Sequence, residues 1–189
     1  MEKRKVGFAM TGSFCTWSKV IPELERLTEK WDIFPIFSCA SYETDSRFGK
    51  ASDWIEKVEK ICGHEILHTL TAVEPIGPQK MVDMIVVSPC TGNTLGKLAN
   101  GITDTPVTLA CKANLRNGNP VLLAVSTNDA LGASARNIGT LMNTKNIYFV
   151  PMAQDDPFGK PASLVAHFDC LGQAIEATFE GRQIQPVFL

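Results

Sequence analysis

The chain has 189 residues, with 18 Lys+Arg against 20 Asp+Glu and a formal net charge of -2. Hydrophobic residues make up 44% and charged residues 20%, ordinary values for a globular chain that exclude disorder. The near-neutral balance supplies no basic field for nucleic acid and no polybasic patch for a membrane surface. The length suits one domain over 1–189, with a core large enough to need no disulfide or metal.

Met1-Glu2-Lys3-Arg4-Lys5 runs at once into a strand-like segment, unlike a secretory leader with a long apolar region. Met81 to Pro89, the longest apolar candidate, is too short for a membrane span and carries Asp83. A cytoplasmic protein is expected. Its cysteines at 15, 39, 62, 90, 111 and 170 form no CxxC pair and are expected to be free and buried. Cys62, His64 and His68 cluster in sequence but lack a fourth zinc ligand.

In chain order, Val6 to Met10 is apolar and ends at Thr11-Gly12-Ser13, a buried strand feeding a turn. Trp17, Val20, Ile21, Leu24, Leu27 and Trp31 recur at helical spacing; Pro22 implies a kink or a start later than Thr16. Ile33 to Phe37 is a second strand, its Pro35 pointing to an interrupted ladder or a sheet edge. Asp53 to Cys62 reads as a helix stopped by Gly63, with Trp54, Ile55, Val58, Ile61 and Cys62 inward. Ile66-Leu67 is a weak strand, and 71–80 a loop with one helical turn. Met84 to Val87, apolar throughout, suits a central parallel strand.

Helices follow at Thr94–Asn100 and Pro106–Leu115, closed by Gly101 and Gly118. Val121 to Val125 is a strand, Asp129–Asn143 a helix, Ile147–Val150 a strand and Ala162–Glu180 a final helix. Strands alternating with helices predict an α/β fold, a three-layer doubly wound parallel sheet. Ligands of such folds bind beyond the carboxyl ends of the strands, here Thr11–Cys15, Ser38–Asp45, Ser88–Thr94, Ser126–Asp129 and Pro151–Lys160.

Three of these loops are rich in hydroxyls and amides, chemistry that suits a phosphate at a helix N-terminus. The same residues also cap helices. No GxxxxGK[ST] or GxGxxG occurs, and Ser38-Cys39-Ala40 stands where a dinucleotide site would place an acid for the ribose. A mononucleotide, FMN, remains.

Pro89-Cys90-Thr91-Gly92-Asn93-Thr94 and its continuation through Lys97, Ala99, Gly101, Ile102 and Asp104 resemble the P-x-x-x-N-T-x-x-K-x-A-x-G-I-x-D segment of the flavoprotein superfamily. That superfamily includes flavin-dependent cysteine decarboxylases and UbiX-like prenyltransferases, with a Rossmann-like flavoprotein fold. Segments at Glu74–Pro78, Lys112–Gly118, Ser126–Gly132 and Tyr148–Pro157 resemble one branch, the B subunits of the two-subunit synthases that make pyridine-2,6-dicarboxylate in spore-forming bacteria.

The resemblance implies an oxidoreductase role during sporulation with an NADP-binding A subunit, a small dicarboxylate substrate and a homo-oligomer. It maps an FMN phosphate site onto Gly12, Ser13 and Phe14, with Ser38 near the flavin ring or ribityl chain. Pro89, Thr91, Gly92, Asn93, Thr94, Ser126, Thr127 and Asn128 would line the cofactor. A supporting role without flavin stays open. The chain departs from the decarboxylases in two places: His68 is the nearest candidate for their histidine, and Val125-Ser126-Thr127-Asn128 replaces their P-A-M-N. Lys97, Lys112, Arg116, Arg136 and Lys160 are the cations available for a dicarboxylate, and Asp155-Asp156-Pro157 either closes the site or simply turns the chain.

Overall fold

Apolar runs bounded by small polar residues become buried strands in the computed structural model, which describes residues 3–189; Met1 and Glu2, which open the N-terminal segment, lie outside the described residues. β1 (Lys5–Met10) passes through a 3-10 turn (Phe14–Thr16) into α1 (Trp17–Lys30). β2 (Asp32–Phe37) leads to the short α2 (Cys39–Glu43) and to α3 (Ala51–Cys62). Next come α4 (Leu70–Val73), β3 (Met84–Cys90), α5 (Gly92–Ala99) and α6 (Pro106–Arg116). β4 (Val121–Thr127), α7 (Ala135–Met142), β5 (Ile147–Phe149), β6 (Met152–Ala153), β7 (Leu164–Ala166) and α8 (Leu171–Phe179) complete the chain.

β2, β1, β3, β4 and β5 pair in that order, all parallel. From β1 the chain steps one way to β2 and later returns to the other side as β3. The order therefore reverses between β1 and β3, and a crevice opens beyond their carboxyl ends. The sheet separates two apolar clusters in a period-two pattern. Val6, Phe8 and Met10 face the cluster that also holds Trp17, Leu24, Val58, Leu171 and Ile175. Ile85 and Val87 face the other, with Leu95, Val107, Ala110, Ile138 and Leu141. The fold is thus the expected α/β sheet flanked by helices on both faces.

α1 begins at Trp17, after Thr16, with Pro22 inside it. Its inward side chains are buried, each worth about 1.5–3 kcal/mol when fully removed from water. β2, with Pro35, lies at the sheet edge as expected. Ile66-Leu67 is not a strand of its own: Leu67 makes a single parallel bridge to Ile36.

Two expected helices and two expected strands change. The Ala162–Glu180 helix is wrong over its first half, where Leu164–Ala166 forms β7, antiparallel to the last two residues of β4 and to β6. Ser126 and Thr127 would otherwise leave ladder groups unpaired, and that demand outweighs a helical spacing of apolar residues. Asp129–Asn143 is helical only over Ala135–Met142, because its first residues wind in turns around Asp129. β3 and β4 also run further than expected, so Ser88, Pro89 and Cys90, like Ser126 and Thr127, belong to strands rather than loops.

All six cysteines are free, but only Cys90 and Cys111 are fully buried, while Cys15 and Cys39 are exposed. Burial holds the Cys111 thiol up at about 12 and Cys90 well above its ordinary range, so both stay protonated. Among the described residues no helix is long and apolar enough to cross a membrane.

Candidate functional site

A cleft of about 790 Å³ opens over the carboxyl ends of β1, β3 and β4, within the size range of small-ligand sites. Its walls meet at Thr11, which is 1% exposed. The Thr11 hydroxyl donates to the Pro89 carbonyl at 2.7 Å and accepts the Thr91 N–H at 3.1 Å. One buried side chain thereby latches the first turn to the end of β3, on both sides of the topological switch.

Gly12, Ser13 and Phe14 line the cleft, as do Thr91, Gly92, Asn93, Ser126, Thr127 and Asn128. Three expected residues do not. Ser38 caps α2, accepting the Ser41 N–H at 3.2 Å. Pro89 serves through its carbonyl on Thr11. Thr94 is buried in the cap of α5, where its N–H reaches the Thr91 hydroxyl at 3.4 Å.

Ser13 is not a cap: no side-chain capping bond occurs at the 3-10 turn or at the start of α1. Its hydroxyl lies 2.8 Å from that of Ser126, across the cleft from β1 to β4. The following turn starts with N–H groups that have no earlier turn to bond to, an anion-binding feature. Asn93 sits at the start of α5 with its side chain exposed and, among the described residues, without a hydrogen bond.

Gly92 is required by close approach. A Cβ there would lie 2.7 Å from Thr127 Oγ1, 2.8 Å from Asp129 Oδ1 and 2.9 Å from Ser134 Oγ. Those oxygens form one cluster, since both hydroxyls donate to Asp129 Oδ1, at 2.5 and 2.9 Å. α5 can therefore bring its N-terminus against β4 only with glycine in this place.

The cleft also carries charges. Asp155 accepts from the Ser163 hydroxyl at 2.6 Å and lies 3.3 Å from the Lys160 ammonium; these two hold its carboxyl below the usual carboxylate range. Of the cations expected for a dicarboxylate, Lys160 lines the cleft, while Lys97, Lys112, Arg116 and Arg136 do not. Lys97 instead pairs with Asp104 at 2.7 Å. Arg47 and Phe48, between α2 and α3, line it and were missed. A strand-end rule cannot find them, because they follow α2 rather than the end of a strand. His68 lies outside the cleft wall, stacked on Tyr42 with ring centroids 3.6 Å apart. His64 binds Asp32 at 2.7 Å, so Cys62, His64 and His68 form no cluster.

A parallel sheet reversing between β1 and β3, with a polar cleft at that crevice, defines a doubly wound α/β protein with its ligand site at the switch point. A sequence profile of the Flavoprotein family matches residues 1–174, and the chain belongs to that family. More particularly, it is 43% identical over 190 residues to the dipicolinate synthase B subunit of Bacillus subtilis, an alignment covering 100% of this chain and 95% of the relative. The crystal structure of the dipicolinate synthase B subunit from Bacillus halodurans superposes with a TM-score of 0.91 at 46% identity, over 100% of this chain and 97% of that one. An FMN-dependent cysteine decarboxylase of thioviridamide biosynthesis shares the fold, with a TM-score of 0.64 at 20% identity over 93% of this chain and 98% of that one.

Proposed function

We propose that the chain acts as a single flavoprotein-type domain in the cytoplasm of a spore-forming cell, as the B subunit of a dipicolinate synthase. With the NADP-binding A subunit of that dipicolinate synthase it converts dihydrodipicolinate to pyridine-2,6-dicarboxylate. Aromatising the dihydro ring removes a hydride and a proton, and NADP held by the partner would supply the hydride acceptor. The strong similarity to two B subunits over nearly their full length supports this role.

The observation that carries the cofactor assignment is the Ser13–Ser126 hydroxyl pair, 2.8 Å apart at the switch point and not used for capping. FMN fits this site. Ser13 with the N–H groups of the turn after it would hold the phosphate. Gly92, Asn93, Thr127 and Asn128 would line the rest. When bound, FMN supplies reversible two-electron chemistry. The chain's own residues bind and orient the ligands, and Lys160 offers a charge for a substrate carboxylate.

One observation favours a supporting role without flavin: Asp129 and Asp155 present carboxylates to the same cleft, where they oppose a phosphate. Reconstitution separates the two. The purified chain should take up FMN and show flavin absorption, and dipicolinate formation with NADP should need both components. A colourless chain that ignores added FMN would establish the supporting role. Full dipicolinate formation by the A subunit without its partner would remove this chain from the reaction.

A further inference from the structure

The turn carrying Arg47 and Phe48 is held in one place from three sides. Ser46 and Gly49 exchange backbone hydrogen bonds of 3.0 and 3.1 Å, which leaves Arg47 and Phe48 as a two-residue tip. Phe48 N–H donates to Ser46 Oγ at 3.1 Å, and Asp45 accepts from the N–H of Ala51 at 2.8 Å, tying the turn to the start of α3. Gly49 has φ +145, and a Cβ on it would lie 2.7 Å from Trp54 Nε1. The turn therefore rests directly on the Trp54 indole, which itself packs edge-on against the buried Trp17 at 5.3 Å.

The tip faces the cleft, with the Arg47 guanidinium 4.8 Å from the centre of the Phe48 ring. Phe48 is 43% exposed, a large aromatic surface left uncovered at a polar site. The cleft's two cations differ. Lys160 is paired with Asp155, whereas Arg47 makes no ion pair among the described residues. A guanidinium with a free planar fork is suited to a carboxylate, which it can hold through two parallel hydrogen bonds.

We propose that the Arg47–Phe48 tip is the specificity element of the cleft for a planar aromatic carboxylate: Arg47 pairs with one carboxylate while Phe48 offers its ring an apolar face. The assignment rests on the reading of the cleft as the dicarboxylate site and names the residues that recognise that acid. A tip held by Trp54 and α3 has little freedom left to lose on binding, so the pairing energy is kept as affinity.

The test titrates the FMN-treated chain, by itself and together with the A subunit, with pyridine-2,6-dicarboxylate and with pyridine-2-carboxylate by calorimetry. Arg47→Met should weaken dicarboxylate binding roughly tenfold to a hundredfold, the range for a lost charge-assisted hydrogen bond, and narrow the preference over the monocarboxylate. Arg47→Lys should recover only part, because a point charge lacks the fork. FMN affinity, followed by flavin fluorescence, should not move. Dicarboxylate binding equal in wild type and Arg47→Met overturns the Arg47 assignment alone. An equal loss of FMN binding overturns it too, by moving Arg47 to the cofactor phosphate. A wild-type chain that binds neither acid, with or without its partner, overturns the dicarboxylate reading of the cleft and the Arg47 assignment with it.

Discussion

Replacing Gly92 by alanine sets two known effects against each other. Glycine inside a helix is less stable than alanine by about 0.5–1 kcal/mol, so helix propensity alone predicts that Gly92→Ala stabilises α5. Packing predicts the reverse, because the new methyl meets oxygens of Thr127, Asp129 and Ser134 at 2.7, 2.8 and 2.9 Å. These atoms are tied together through Asp129 and cannot part without loss of a hydrogen bond to a carboxylate, worth about 1.5–3 kcal/mol. The net expectation is a destabilisation of about 1–2 kcal/mol, a fall in Tm of roughly 2–8 °C for a chain of this length. Gly96 in the same helix is the control: its Cβ would meet only Asn137 Nδ2, at an ordinary 3.5 Å, so Gly96→Ala should gain about 0.5–1 kcal/mol. Urea unfolding of both variants gives ΔG from the midpoint and slope. Ser134→Ala in the Gly92→Ala background should restore part of the loss by opening one contact. A Gly92→Ala chain as stable as wild type, with an unchanged slope, would refute the role given to the Asp129 cluster.

Other outcomes follow from the same geometry. Ser13→Asp should abolish FMN uptake by placing a carboxylate where the phosphate binds, while ΔG falls by no more than about 1.5 kcal/mol, the worth of the Ser126 hydrogen bond; full uptake would sink the phosphate site. Asn93→Ala should leave the urea midpoint unchanged and weaken FMN binding by about 1–3 kcal/mol in a fluorescence titration. An unaltered Kd in a chain that binds FMN would take Asn93 out of the site. The Ser163 hydroxyl and Lys160 lower the folded pKa of Asp155, so its share of stability is present above the unfolded value, near pH 4, and is lost as pH falls through the folded value. Ser163→Ala removes the largest cause and should flatten the acid limb of ΔG against pH below about 4; identical acid limbs would show that the pairing does not matter.

Local chemistry alone was enough for much of the fold. Met84 to Val87 could be read as a central strand because a segment buried on both faces must be apolar at every position. The alternation of strands and helices sufficed for the sheet and for the edge where ligands bind, since parallel crossovers leave few arrangements. Gly12, Ser13, Gly92 and Asn93 were legible as cleft residues because a strand end and a helix start fall beside them in the sequence, and Ser126 to Asn128 because they close a strand.

Tertiary contacts decided the rest. Leu164–Ala166 carries apolar residues that suit a helix or a strand equally, and it became β7 because the end of β4 needed ladder partners that only a distant segment could bring. Whether Thr94 caps or faces a ligand, and whether Ser13 does either, depended on hydroxyl directions fixed by neighbours far along the chain, such as Ser126. Arg47 reached the cleft because a turn settled on Trp54 through Gly49. Sequence spacing describes which faces of an element are apolar; it holds no information on which surface of another element will come to lie beside them, and that proximity chose the site's charges.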